Sequence, residues 1–129
     1  MLKLIGGETI LETERILLEP MRREHARELF LLYQDPRIYR YMAHRPPSSL
    51  EALEARCARL ESRRDPKSPD LWLNWVLRLR ESRQCIGRVE VTLREDLTAW
   101  LAYELSPLFW GAGYATESPA SVWVRAGPR

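Results

Sequence analysis

Residues Thr98–Glu117 read TAWLAYELSPLFWGAGYATE. In the first half Ala99, Leu101, Tyr103 and Leu105 recur every second position, which is the period of a β-strand. The strand then meets SPLFW, two glycines spaced by one residue (Gly111 and Gly113), and a helix start. A strand that runs through such a loop into a helix N-terminus offers backbone N–H groups with no side chain in the way. The first amides of a helix also carry about half a positive charge, so a pyrophosphate can be held there without a lysine. Gly-x-Gly spacing alone leaves an ordinary turn open as the alternative.

The period of two appears twice more upstream. Leu71, Leu73, Trp75, Leu77 and Leu79 oppose Trp72, Asn74, Val76, Arg78 and Arg80; Cys85, Gly87, Val89, Val91 and Leu93 oppose Ile86, Arg88, Glu90, Thr92 and Arg94. Short connections between the three runs predict an antiparallel meander. Its second face carries Trp72, Ile86 and Trp100 among charges, so that face is expected to be at least partly covered.

Before the meander the period is helical. Ala26, Leu29, Phe30 and Tyr33 form one stripe that ends before Pro36. Ile38, Tyr39, Tyr41 and Met42 make a short apolar patch, which Pro46-Pro47 prevents from continuing as a helix. Ser48-Ser49-Leu50-Glu51 has the form of a capping box. The helix it opens sets Leu50, Leu53, Cys57 and Leu60 on one face and leaves Glu51, Glu54, Arg59 and Arg63 to solvent, ending at DPKSPD. Cys57 on that stripe reads as a packed thiol rather than a nucleophile. Leu11–Glu19 predicts a single short strand stopped by Pro20. Strand, helix, helix and three strands make an α+β layer architecture.

With 129 residues the chain has room for one domain with a core. Its 20 basic and 18 acidic residues leave a net charge of +2, which gives no field that implies nucleic acid or a membrane. Cys57 and Cys85 do not form a disulfide framework, and His25 and His44 form no cluster with ligand spacing, so no metal is expected. The N-terminus MLKLIGGETILETER lacks the apolar run of a signal peptide, and the chain is read as cytoplasmic.

Tyr103–Glu117, YELSPLFWGAGYATE, resembles the acyl-CoA motif of GNAT N-acetyltransferases, in the branch that includes the ribosomal-protein N-terminal acetylases. LETERILL at Leu11–Leu18 resembles that branch's first strand, Asp35-Pro36 its first inter-helix turn, and Ile86-Gly87-Arg88-Val89 its third strand. The resemblance ends at about Glu117. It implies an antiparallel-rich central sheet with flanking helices and an N-acetyltransferase that moves acetyl from acetyl-CoA to a primary amine, of a protein N-terminus or a small molecule.

By the same resemblance, pantetheine lies along Tyr103 to Leu105 through main-chain bonds. The pyrophosphate meets the amides of Gly111, Ala112, Gly113, Tyr114, Ala115 and Thr116. The superfamily has Arg or Gln where Trp110 stands and this branch a basic residue where Ala112 stands, so phosphate affinity is expected to rest on backbone. An amine acceptor needs a base, and Glu104, on the face opposite Tyr103, is the first candidate for that catalytic role, with Glu90 second. An ion pair of either carboxylate with Arg88 or Arg94 is the alternative.

After Glu117 the text SPASVWVRAGPR does not continue as the family's long helix, and Pro119 stands a few residues into it. The expectation is an incomplete single domain over residues 1–129 that lacks the C-terminal half of the fold, with a non-family tail over 118–129. Such a sheet would leave its last strand unpaired. That favours a homo-oligomer through the Thr98–Leu105 edge, little acetyl transfer, or a non-catalytic remnant acting as an interaction module.

Overall fold

The computed structural model describes residues 10–39, 46–96 and 98–114. Five strands form one antiparallel sheet in sequence order: β1 (Leu11–Glu12), β2 (Ile16–Pro20), β3 (Leu71–Leu79), β4 (Cys85–Leu93) and β5 (Ala99–Leu105). Two helices, α1 (Ala26–Leu32) and α2 (Leu50–Leu60), lie between β2 and β3 in the chain. The α+β architecture and the three-strand meander expected from the alternation are therefore present.

Three local readings change. Leu11–Glu19 is two strands rather than one. Thr13 turns the chain: its N–H donates to the Ile16 carbonyl (2.8 Å) and its Oγ1 accepts the Ile16 N–H (3.1 Å). A threonine hydroxyl that bonds to nearby backbone competes in this way with a continuous strand. The second change is one residue at the start of α2, where Ser49 and not Ser48 is the cap. Its Oγ accepts the Ala52 N–H at 3.0 Å, which puts alanine at the position where a capping box needs an acid.

The third change is a β-bulge. Leu77 pairs with Gly87 but Arg78 pairs with Cys85, so Ile86 is the extra residue of β4. Strict alternation would set Ile86 beside Arg88. The bulge instead returns it, fully buried, to the layer of Leu18, Leu77, Val89 and Leu105.

The opposite face of the sheet takes the helices. Val76 packs there with Ala26, Leu29 and Tyr33 and with Leu53 and Cys57 of α2. Burial pushes the Cys57 thiol above its ordinary value, in keeping with a packing role. Arg78 locks the layers: its Nε donates to Glu19 of β2 (2.9 Å) and its Nη2 to Glu28 of α1 (2.7 Å).

Candidate active site

Among the described residues β5 is the outer strand of the sheet. Successive residues of a strand turn their N–H and C=O to opposite sides. Ser106 donates its N–H to Ile86 of β4 (2.7 Å), so Glu104, two residues back, also faces β4, while Tyr103 and Leu105 turn to the outer edge. The Trp110 indole confirms that direction by donating its Nε1–H to the Leu105 carbonyl at 2.9 Å. Tyr103 is half exposed, and Trp100, at 64%, is more so.

Beyond β5 a 3-10 turn (Pro107–Phe109) leads into the glycine loop. Gly111 and Gly113 have φ of +80° and +85°, the left-handed region that a side chain rarely tolerates. Gly111, Ala112 and Gly113 are exposed, and among the described residues, its two chain neighbours aside, no atom lies within 4 Å of the place a Gly111 Cβ would take. Among the described residues, the Gly111 side of the loop thus carries no side chain over its backbone. Ala115, Thr116 and Glu117, with the tail over 118–129, lie outside the described residues, as do Tyr41 and Met42.

Arg15, in the turn between β1 and β2, reaches this loop across 97 positions of sequence and donates its Nη1–H to the Ala112 carbonyl at 2.9 Å. Its guanidinium stacks 4.1 Å from the centroid of the Tyr114 ring. Its Nη2 lies 3.3 Å from where a Gly113 Cβ would stand. Nothing in the sequence pattern places Arg15 here, since the contact depends on the β1–β2 turn, where the pattern predicts one continuous strand.

Glu104 is buried at 8% exposure on the helical face, as are Arg88 (4%) and Asn74 (3%). Arg88 Nε donates to Glu104 Oε1 at 2.7 Å and Nη2 approaches Oε2 at 3.4 Å, while Nη1 donates to Asn74 Oδ1 at 2.8 Å. From the C-cap of α1, the Tyr33 hydroxyl completes the cluster by donating to Glu104 Oε1. Burial raises the Glu104 carboxyl, but the Arg88 guanidinium and the Tyr33 hydroxyl outweigh it and hold the group below the usual carboxylate range. Burial likewise pushes the Tyr33 hydroxyl well above the usual tyrosine value. Asn74 Nδ2 has no partner among the described residues. The ion pair weighed as an alternative for Glu104 is present; Tyr33, read only as part of an apolar stripe, supplies the bond that sequence reasoning missed.

Glu90, two pairs further along β4 and on the same face, stands opposite Ala102 and is part exposed, with Oε2 3.5 Å from Arg88 Nη1. It opens on a cleft of about 840 Å³ between α2 and the sheet, walled by Arg56, Arg59, Arg64, Trp72 and Thr92. Arg59 was expected to face solvent alone; it also forms this wall.

The Acetyltransferase (GNAT) domain profile matches residues 15–126, running past Glu117, where the resemblance of the motifs ends. The uncharacterized N-acetyltransferase YoaA of Bacillus subtilis is 22% identical over 110 residues, covering 84% of this chain and 60% of its own length. Among solved structures, one described as a ribosomal-protein-serine acetyltransferase of Vibrio cholerae aligns with a TM-score of 0.74 at 15% identity, over 93% of this chain and 67% of that one. The microcin C7 self-immunity acetyltransferase MccE, in complex with acetyl-CoA and AMP, aligns with a TM-score of 0.73 at 18% identity, over 89% of this chain and 64% of that one. The chain therefore spans about 60% of the length of the curated relative it matches. No helix of the described residues is long and apolar enough to cross a membrane. An outer strand that runs into a left-handed glycine loop, within a sheet of this topology and under a profile match over most of its length, makes the chain a member of the GNAT acetyltransferase family.

Proposed function

We propose that this domain carries transfer of an acetyl group from acetyl-CoA to a primary amine, with the cofactor along the outer edge of β5. The observation that carries the reading is the continuity of that edge with the loop. Tyr103 and Leu105 turn their main-chain groups outward, and the exposed left-handed glycines follow within a few residues. An extended pantetheine can pair with such an edge, and the amides of Gly111–Tyr114 can meet the pyrophosphate. When bound, acetyl-CoA supplies a thioester carbonyl to the attacking amine.

The chain's own residues then have two tasks, to take a proton from the amine and to hold β5 in place. Glu104 is the base that the family resemblance suggests, but both its oxygens are committed to Arg88 and Tyr33 and its depressed pKa weakens it as a proton acceptor. Its surroundings suit a positioning residue that fixes β5 against β4 and α1. Glu90, part exposed on the cleft wall, suits proton acceptance better. The acceptor amine would approach from the same helical face. Calorimetric titration of CoA, followed by thiol release from acetyl-CoA with a panel of amines, tests the reading; absence of any CoA binding would overturn it.

A second reading is an interaction module that pairs through the β5 edge, as a sheet that takes up a further strand. It is favoured by the exposed row Trp100, Leu101 and Tyr103 on that outer strand. Light scattering over a concentration series distinguishes the two, because CoA should dissociate any dimer that uses the same edge.

A further inference from the structure

The loop and the residues just before it, Ser106–Tyr114, contain no cationic side chain. A doubly or triply charged phosphate group held by backbone alone would lack a full opposing charge. The geometry points to Arg15 as that charge: we infer that Arg15 is a phosphate-binding residue of the glycine loop, brought from the far end of the chain by the β1–β2 turn. This rests on the acetyl-CoA reading above and assigns one of its contacts.

Three observations carry it. The guanidinium is within bonding distance of the loop backbone, at the Ala112 carbonyl, and in contact range of Gly113. Its plane is set by stacking on Tyr114. Its backbone is pinned as well, since the Arg15 carbonyl accepts the Arg80 N–H (2.9 Å) and Arg80 Nη1 donates to the Thr13 carbonyl (3.0 Å). A long flexible side chain is thereby held over one spot, beside the two left-handed glycines of the loop. An arginine fork matches phosphate geometry, and one held in advance loses less freedom on binding. A Cβ at Gly113 would stand 3.3 Å from the guanidinium, on a backbone whose φ of +85° already disfavours a side chain.

The test is titration of CoA into the wild-type 129-residue chain, Arg15→Ala and Arg15→Lys, at low and high salt. Arg15→Ala should weaken CoA on the order of tenfold at low salt, Arg15→Lys should weaken it less, and the Arg15→Ala affinity should depend less steeply on salt. Equal CoA affinity in wild type and Arg15→Ala would overturn this inference and leave the acetyl-CoA reading intact. Equal losses in Arg15→Ala and Arg15→Lys with the wild-type salt dependence would overturn it too, by reducing Arg15 to a clamp on the Ala112 carbonyl. Failure of the wild type itself to bind CoA would instead overturn the underlying reading, and this inference with it.

Discussion

Arg88 and Glu104 face each other across β4 and β5 in direct register, and their side chains meet at 2.7 Å in the buried layer beneath α1. The pair joins the strand that leads to the glycine loop to the middle of the sheet, and Tyr33 ties both to the helix. Removing one partner leaves the other charge without compensation where water cannot reach it. Glu104→Gln should therefore cost about 3–5 kcal/mol of stability. The triple variant Arg88→Met, Glu104→Leu, Tyr33→Phe should recover most of that loss, because no buried charge or hydroxyl is left behind. Urea melts of the three proteins decide it, and an unchanged midpoint in Glu104→Gln would show that the pair contributes little.

The same pair sets a pH dependence. A carboxyl whose folded pKa is depressed adds stability that is present above its unfolded value, about 4.3, and lost as pH falls through the folded value. Glu28, lowered by its bond to Arg78, acts in the same direction. Thermal melts should hold steady from neutral pH to about 5 and fall steeply below about 4. In the triple variant the fall should be shallower; an identical slope would assign the acid sensitivity elsewhere.

Gly87 is required by contact rather than by backbone angle. A Cβ at this position would stand 2.0 Å from the Glu104 carbonyl oxygen, a backbone atom that cannot rotate away. Gly87→Ala should push β5 off β4 and cost about 3 kcal/mol. Because it displaces the strand proposed to hold pantetheine, it should also weaken CoA binding. A variant with wild-type stability and CoA affinity would show that β5 is not held this tightly.

Under the assignment of roles to the two carboxylates, Glu90→Gln should lower turnover about a hundredfold or more with little change in acetyl-CoA affinity, since a base acts on the amine. Glu104→Gln should lower stability and affinity together. Thiol-release kinetics alongside CoA titration separate the effects. A Glu104→Gln protein that is stable, binds acetyl-CoA normally and has lost turnover would make Glu104 the base.

The strands and helices were legible because their signals are local. Leu71–Leu79 and Ala99–Leu105 alternate, and Ala26, Leu29 and Tyr33 lie on one helical stripe. What sequence reading missed depends on one residue of slippage or on distant contact. The bulge that buries Ile86 follows from the pairing of Leu77 with Gly87, and no property of Ile86 itself signals it. Tyr33 has an apolar ring that fits a core stripe, and the hydroxyl's partner, Glu104, is 71 residues away. Arg15 is one of many arginines, and only the turn at Thr13 aims it at the loop. The glycine loop itself is legible in the sequence, since glycines spaced after a strand carry their own conformational meaning.

The central claim is that the loop after β5 holds the phosphates of CoA through its backbone. Calorimetric titration of CoA into wild type, Gly113→Val and Trp110→Gln tests it most directly. Valine at Gly113 meets both a φ of +85° and the Arg15 guanidinium, so binding should be abolished. Trp110→Gln leaves the loop glycines in place and should bind as well as wild type or better. Equal binding of CoA by wild type and Gly113→Val would contradict the account.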